Sequence, residues 1–253
     1  MKIDAILTPA ELPALAKRDL RETVCVVFDV LRATSTFVTA LHNGAKAIIP
    51  VSEISEALAI RRKQPDVLLA GERDGMKIRA AQTGGRDFDL GNSPREFTTE
   101  KVRGKTIVST TTNGTRALRA CANAKIVLAG SFLNLGATAD FVKNLQPAEV
   151  LLVCAGTREQ RADEDVLGAG AMCELPARGD TRPTLSGSAK IARQLYAQTE
   201  SDLAAAVRNS TNARRLLAIP ELRNDVAFCL QRDVFPLIAR MEADGAIRRQ
   251  LGC

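Results

Sequence analysis

The stretch VCVVF at residues 24–28 is followed at once by DVLRATST at residues 29–36, and this junction decides how the chain folds. Residues 24–28 are apolar without alternation and mostly β-branched, which is typical of a central strand buried on both faces. A helical pattern follows at 34–41, and a second apolar run stands at 47–51. The junction therefore predicts a strand–helix–strand unit.

The same alternation continues along the chain. Further strands are expected at 67–71, 106–109, 125–129 and 150–154, and helices at 54–62, 115–121 and 135–145. Strands that alternate with helices predict an α/β fold with a largely parallel or mixed sheet covered by helices. Residues 27–51 and 107–130 run the same course, which indicates either an internal repeat or the general self-similarity of α/β chains.

Two regions depart from this rhythm. Residues 71–97 are rich in Gly, Asp and Arg, and a long irregular segment of this kind is usually a functional loop. From residue 186 onward the pattern is mostly helical, with helices expected at 189–196, 201–207, 212–217 and 225–241. We expect an α/β core at 1–185 and a helical part at 186–253 packed on it, as two units or one continuous domain.

Composition and net charge limit the classes of function that are expected for this chain. The net charge is +6, aromatic residues make up 4% and Trp is absent, so an anionic metabolite is favoured over a nucleic acid that would stack on aromatic rings. A single histidine excludes a His-rich metal site within one chain, and the six cysteines form no C-x-x-C pair. No apolar run approaches the roughly 20 residues of a membrane helix. We expect a cytoplasmic protein with reduced cysteines.

The first candidate site is the turn after the central strand. A carboxylate at Asp29 would lie at the carboxyl edge of the sheet, where α/β proteins bind ligands, and could hold Mg²⁺ or act as a nucleophile. Arg32 could grip a phosphate, while Thr34 and Ser35 could donate to it at the start of the helix. The alternative is structural: Asp29 ends the strand and the hydroxyls cap the helix.

The second candidate is the polar turn STTTNGTR at 109–116, which also joins a strand to a helix. Six basic residues and no acidic one fall between residues 101 and 139, which favours an anion site there. A capped helix start with a solvated basic face is the alternative. The candidate substrate-binding residues are Thr112, Asn113, Gly114, Thr115 and Arg116.

Three further places offer polar side chains. Glu72 and Arg73 follow the strand at 67–71. Glu72 could be a metal ligand or a general base, and Arg73 could bind an anion. The alternative is a charged turn on the surface. Asn92 and Ser93 could bind substrate, although Ser93 with Glu96 also reads as a capping box. The DED run at 163–165, which contains Glu164 and Asp165, offers hard oxygen ligands for Mg²⁺. The alternative is structural, because the helix dipole favours carboxylates at the start of a helix.

These stretches together resemble a known family. FDVLRATS at 28–35, GER at 71–73, FDLGNSP at 88–94, TTNGT at 111–115 and CAG at 154–156 with the pair at 164–165 occur in this order. The string resembles the 2-phosphosulfolactate phosphatase (ComB-like) family, over about residues 3–240. The resemblance implies an α/β fold of its own and a Mg²⁺-dependent conversion of 2-phosphosulfolactate to sulfolactate and phosphate, on the way to coenzyme M.

The resulting hypothesis is a Mg²⁺-dependent phosphatase that acts on a small acidic phosphomonoester. Asp29, Glu72, Glu164 and Asp165 would lie near the metal, and Asp29, Arg32, Glu72 and Arg73 would be catalytic. The alternatives are a hydroxy-acid phosphatase of broad range, and a non-catalytic protein that binds anions or nucleic acid. A small phosphorylated substrate is the expected partner, with no nucleic acid, no membrane and a homodimer as the default assembly.

Overall fold

The computed structural model describes residues 1–15, 17–174 and 183–250. The strands are β1 (Lys2–Ile6), β2 (Thr23–Phe28), β3 (Ala47–Val51), β4 (Leu68–Arg73), β5 (Met76–Lys77), β6 (Thr106–Thr110), β7 (Ile126–Gly130), β8 (Glu149–Cys154), β9 (Thr184–Leu185), β10 (Ile238–Met241) and β11 (Ile247–Gln250). They form one sheet in the order β5-β4-β6-β3-β11-β10-β7-β2-β8-β1-β9.

Helices follow most of the strands and cover the sheet. They are α1 (Leu12–Leu15), α2 (Ala33–His42), α3 (Ile54–Lys63), α4 (Ala80–Thr83), α5 (Thr99–Val102), α6 (Gly114–Ala120), α7 (Leu135–Leu145), α8 (Asp163–Cys173), α9 (Gly187–Thr199), α10 (Leu203–Arg208), α11 (Thr211–Leu217) and α12 (Arg223–Cys229). Apart from the stretch at 225–241, the predicted strands and helices are confirmed to within three residues at each end.

Strand β2 is the central strand that its sequence predicts. It pairs in parallel with β7 on one side and β8 on the other. Val24, Val26 and Phe28 join the apolar core on one face of the sheet, and Cys25 and Val27 join the core on the other. Because both faces are covered, every residue of this strand is buried.

The sheet is mixed, and its two parallel groups run in opposite directions. Strands β1, β2, β7, β8 and β9 form one group, and β3, β4 and β6 form the other. The antiparallel hairpin β10–β11 lies between them and pairs antiparallel with β7 and β3. Strand-to-strand twist of about 20–25° accumulates to roughly 100° between β6 and β2. The turns that follow β2 in one group and β4 and β6 in the other line a common cleft, and the apolar residues of α2 and α6 share one core.

The helix predicted at 225–241 is wrong beyond residue 229. Helix α12 ends at Cys229, and the chain then enters the sheet as β10. Pro236 cannot continue a helix because it lacks the backbone N–H, and residues 239–241 instead pair with β7. The C-terminal part thus contributes two strands to the middle of the sheet. Residues 251–253 lie outside the described part, and the division of the chain into domains stays a prediction.

Two further expectations can be compared with the structure. Cys25, Cys121, Cys154, Cys173 and Cys229 are buried, in agreement with the core positions expected for cysteines, while Cys253 falls outside the described residues. No helix in the described ranges combines the length and the apolar character that crossing a membrane requires.

Candidate active site

A polar cleft opens where three strands end. It is bounded by the turns that follow β2, β4 and β6, by the loop after β8 and by α11. Its lining consists of Asp29, Leu31, Arg32, Glu72, Asp74, Gly75, Asn92, Thr112, Asn113, Thr157, Arg158, Asn212, Arg215 and Leu216. Six predicted site residues are thereby brought to one place, although their strands belong to opposite halves of the sheet.

Asp29 occupies the inner end of this cleft. Its side chain is 8% exposed, and its Oδ1 accepts the N–H of Ala33 at 3.0 Å. The pKa of Asp29 is raised to about 7, chiefly by burial and then by the carboxylates of Glu72 and Glu164, against the lowering effects of the Ala33 N–H and of Arg32. A carboxylate with this environment gains from a cation or proton beside it.

The turn before α6 presses directly against Asp29. A Cβ added to Gly114 would lie 2.6 Å from Oδ2 of Asp29 and 2.6 Å from Cβ of Ala33. Only a residue without a side chain permits this approach. The two strand–helix turns that the sequence singled out therefore meet at one point, with Asp29 between them.

Glu72 is held by the second turn. Its Oε1 accepts both the N–H and the hydroxyl of Thr112 at 2.8 Å, and its Oε2 accepts the N–H of Gly75 at 2.7 Å. With 7% of its surface exposed, this carboxylate is fixed in the wall of the cleft. Glu72 thus ties the β4–β5 turn to the turn before α6.

Glu164 and Asp165 start helix α8 behind Asp29. Asp165 accepts the N–H groups of Val30 at 2.8 Å and Gly156 at 2.9 Å, so both oxygens hold the backbone of neighbouring loops. Oε1 of Glu164 accepts the Asn212 amide at 2.7 Å, and its Oε2 is buried without a hydrogen-bond partner among the described residues. Burial, the largest effect on each, raises the pKa of both carboxyls.

The arrangement of the carboxylates limits how a metal ion could be held. Within residues 1–15, 17–174 and 183–250, no three His, Cys, Asp or Glu side chains stand close enough to enclose a metal. Magnesium, however, is usually held by one or two carboxylates, with water and substrate phosphate completing its octahedron. Asp29, which lines the cleft, fits such an open site, whereas Glu164 is fully buried outside the lining with its Oε2 unpartnered, and both oxygens of Asp165 hold backbone groups.

Arg32 reaches the cleft from a buried ion pair. Its Nη1 lies 2.8 Å from Oδ2 of Asp225, and its Nη2 donates to the carbonyl of Gly75 at 2.7 Å. Asp225 is fully buried and also accepts the Ser93 hydroxyl at 2.8 Å. The guanidinium is therefore held in one orientation, which suits a fixed anion-binding group.

Several predicted substrate-binding hydroxyls bond instead to the backbone. Thr34 Oγ1 donates to the carbonyl of Asp29, Ser35 Oγ to that of Val30 and Thr115 Oγ1 to that of Thr111. All three side chains are fully buried.

The side chain of Ser93 makes a different contact from the helix cap that its sequence predicts. The capping box predicted for Ser93 and Glu96 is wrong, because the Ser93 hydroxyl goes to Asp225 and Glu96 accepts the N–H of Gly91. Asn92, by contrast, lies in the wall of the cleft.

Arg73 and Arg116 lie away from the cleft. Arg73 donates to the Glu72 carbonyl at 2.7 Å and to Thr110 Oγ1 at 3.0 Å, behind the β4 strand end. Arg116 is exposed on α6. Within the part of the chain that the structure describes, neither belongs to the cleft lining.

Besides Asp74 and Thr157, sequence reasoning missed four polar residues of the site. Arg158, Asn212 and Arg215 line the cleft, and Asp225 anchors Arg32 from the next helix. Arg158 stands in a non-periodic loop, while the other three lie on helices where polar residues look like solvent-facing ones. Only the buried environment of Asp225 distinguishes it, and that environment is not visible in the sequence.

Comparison with known proteins gives a consistent result. A family model described as 2-phosphosulpholactate phosphatase matches residues 7–244. A probable 2-phosphosulfolactate phosphatase of Thermotoga petrophila is 42% identical over 213 residues, which are 84% of this chain and 86% of the relative. Relatives with the same name are 40% identical in Caldanaerobacter subterraneus (91% and 92% covered) and 34% identical in Clostridium acetobutylicum (94% and 96% covered).

Proposed function

This chain belongs to the 2-phosphosulfolactate phosphatase family, and on that premise we propose that it hydrolyses 2-phosphosulfolactate to sulfolactate and phosphate with Mg²⁺. The observation that carries the proposal is the meeting of Asp29, Glu72 and Thr112 in one polar cleft. Carboxylates for a metal and donors for phosphate oxygens are the parts that phosphoryl transfer requires.

Asp29 is the residue that we place beside the reacting phosphorus. Its raised pKa of about 7 means that the carboxylate becomes stable as an anion only when a cation lies beside it or the pH is high. Asp29 and Glu164 would hold Mg²⁺, with Glu72 in the adjoining wall. When bound, the ion would neutralise charge on the phosphoryl group and orient it.

The other cleft residues position the substrate. Arg32, fixed by Asp225, supplies a guanidinium for phosphate oxygens, and the Asn113 side chain lines the same cleft beside Thr112, whose hydroxyl donates to Glu72. In the reaction an oxygen nucleophile attacks phosphorus and the bond from phosphorus to the C2 oxygen breaks; overall one water is consumed, its hydroxyl going to phosphorus and its proton to the C2 oxygen, which leaves as the hydroxyl of the product.

Attack by water and attack by Asp29 both use this position. A rapid acid quench during turnover, followed by mass spectrometry of the Asp29 peptide, distinguishes them. A gain of one phosphoryl group on Asp29 identifies the carboxylate as the nucleophile, and a peptide that stays unmodified favours water.

The proposed specificity is tested with a panel of phosphate esters. We expect phosphate release to be fastest from 2-phosphosulfolactate, slower from 2-phospholactate and slowest from p-nitrophenyl phosphate. Equal kcat/KM values for the three would support the broad-range hydroxy-acid phosphatase instead. Release from none of them by folded protein would contradict the proposal.

Location and assembly remain proposals. A reducing compartment such as the cytoplasm suits the five free cysteines of the described residues. The homodimer and the place of the reaction in coenzyme M formation stay predictions.

A further inference from the structure

Two arginines at the mouth of the cleft share one carboxylate oxygen. Nη2 of Arg158 lies 3.2 Å from Oδ1 of Asp74, and Nη2 of Arg215 lies 3.4 Å from the same atom. All three residues line the cleft that holds Asp29. The two guanidinium groups therefore converge on one point, and a carboxylate oxygen of the same chain occupies that point.

The carboxylate of Asp74 reaches this point from the tip of a hairpin. Arg73 pairs with Met76 across the β4–β5 ladder, so Asp74 and Gly75 form a two-residue loop, with φ of 53° and 79°. Both values lie in the left-handed region, where Asp, Asn and Gly are the residues best tolerated. The same hairpin carries Glu72, so Asp74 is attached to a wall of the reaction site.

The contacts of Asp74 are easily exchanged. The side chains of Asp74 and Arg158 are each 73% exposed, and that of Arg215 is 41% exposed. Exposed ion pairs contribute little net free energy because water and salt screen them. A substrate anion that enters the cleft can therefore take the place of Asp74, and it gains a planar guanidinium fork that matches a carboxylate or sulfonate.

The loop that carries Arg158 is tied to the reaction site. The N–H of Arg158 donates to Oδ1 of Asn113 at 3.2 Å, directly before α6. Arg215 stands on α11, one turn from Asn212, which bonds Glu164. The cleft therefore has a carboxylate-lined inner end and an arginine-lined mouth, connected by hydrogen bonds.

We propose that Arg158 and Arg215 form a second anion subsite, which binds an acidic group of the substrate other than its phosphate, and that Asp74 occupies this subsite until the substrate displaces it. The inference rests on the proposed function, because it assigns the phosphate to the end of the cleft at Asp29. It makes phosphorylated hydroxy acids with an additional carboxylate or sulfonate the preferred substrates.

The arginine pair is tested with the double variant R158Q/R215Q. Loss of a charge-assisted pair should lower kcat/KM on 2-phosphosulfolactate at least about tenfold more than on p-nitrophenyl phosphate, which has no second acid. The value on 2-phospholactate shows whether the carboxylate alone is bound. The control R62Q/R208Q removes two exposed arginines from α3 and α10 and changes the net charge equally. Equal losses on all substrates, or no loss, would overturn the subsite.

Asp74 is tested with D74N, which keeps the size and the turn preference of the residue. Removal of the competing charge should lower the KM for 2-phosphosulfolactate and tighten the binding of sulfolactate about threefold or more. An unchanged Kd and KM would overturn the role of Asp74.

Titration calorimetry with sulfolactate separates this inference from the proposed function. If the wild-type protein hydrolyses none of the esters, the proposed function fails, and the calorimetric comparison still decides the subsite. Weaker binding by R158Q/R215Q than by R62Q/R208Q would support it, and equal binding would overturn it.

Discussion

The turn at 29–36 and the turn at 110–115 look alike in sequence, and the structure gives them different tasks. In the first turn Thr34 and Ser35 are fully buried and donate to backbone carbonyls, so that Asp29 and Arg32 are the polar side chains of this turn that line the cleft. In the second, Thr112 and Asn113 are half-buried and line it. One turn therefore presents the carboxylate of Asp29, which accepts the Ala33 N–H, and the other presents two polar side chains, of which the Thr112 hydroxyl donates to Glu72.

The likeness of the two turns extends to the sheet. Strands β2 and β3 flank the first turn and its helix, β6 and β7 flank the second, and pairing is crosswise, β2 with β7 and β3 with β6. The β10–β11 hairpin lies between these two pairs. The arrangement is what an internal repeat would produce, and the repeat itself stays a prediction.

Asp29→Asn removes the charged carboxylate that the first turn places in the cleft, and we expect the largest loss of activity from it. The amide oxygen can still accept the Ala33 N–H, so the fold should persist, but the charge is lost and kcat should fall by about 10³-fold or more. Steady-state phosphate release and circular dichroism measure the two effects. Asp163→Asn, at the exposed start of α8, is the matched control and should retain near-normal kcat.

Gly114→Ala tests the contact between the two turns. The added methyl group would meet Oδ2 of Asp29 and Cβ of Ala33 at 2.6 Å, so the turns must separate. We expect a loss of about 10²-fold in kcat, as is usual when reacting groups shift by about 1 Å, and a lower Tm. Gly187→Ala on α9 adds the same methyl group in open space and should change neither. Normal kcat in the first variant would show that the contact is unimportant.

Thr112→Val and Ser35→Ala sharpen the difference between the turns. Loss of the Thr112 hydroxyl removes one of the hydrogen bonds that hold Glu72 in the wall of the cleft, and kcat/KM should fall about tenfold. Loss of the Ser35 hydroxyl removes a buried bond to Val30, and stability should fall by about 1 kcal/mol while kcat/KM changes little. The opposite pattern, with Ser35 governing KM, would restore the substrate-binding role predicted for it.

The pH dependence of stability tests the raised pKa of Asp29 without any measurement of turnover. Because the pKa of Asp29 is raised from 3.8 to about 7 in the folded state, the native protein keeps a proton that the unfolded chain has lost between those pH values. Stability in EDTA should therefore decline as pH rises through this window and level off above pH 7. In Asp29→Asn the decline should be smaller, by about 3 °C in Tm or more across the window. Identical slopes would contradict a raised pKa at this position.

Much of the fold follows from the sequence because local patterns determine it. The apolar run at 24–28 indicates a buried strand, and the polar residues that follow it stand at a strand end whatever the rest of the sheet does. The β10–β11 hairpin was missed because its position depends on pairing with β3 and β7, which lie far away in sequence.

The site was only partly predictable for a related reason. Asp29, Glu72, Thr112 and Asn113 stand directly after strands, where ligands gather in α/β proteins, and the structure brings them together. Arg158 and Arg215 have no such signal, because a loop arginine and a helix arginine normally face solvent. Thr34 and Ser35 look like ligand donors, but burial commits their hydroxyls to the backbone.

The most direct test of the central claim is phosphate release from 2-phosphosulfolactate by EDTA-treated protein, before and after Mg²⁺ is added. A Mg²⁺-dependent phosphatase centred on Asp29 predicts no release without the ion, rapid release once it is added to the wild-type and Asp163→Asn proteins, and none from Asp29→Asn. Release that survives EDTA, or equal rates from Asp29→Asn and the wild-type protein, would contradict it.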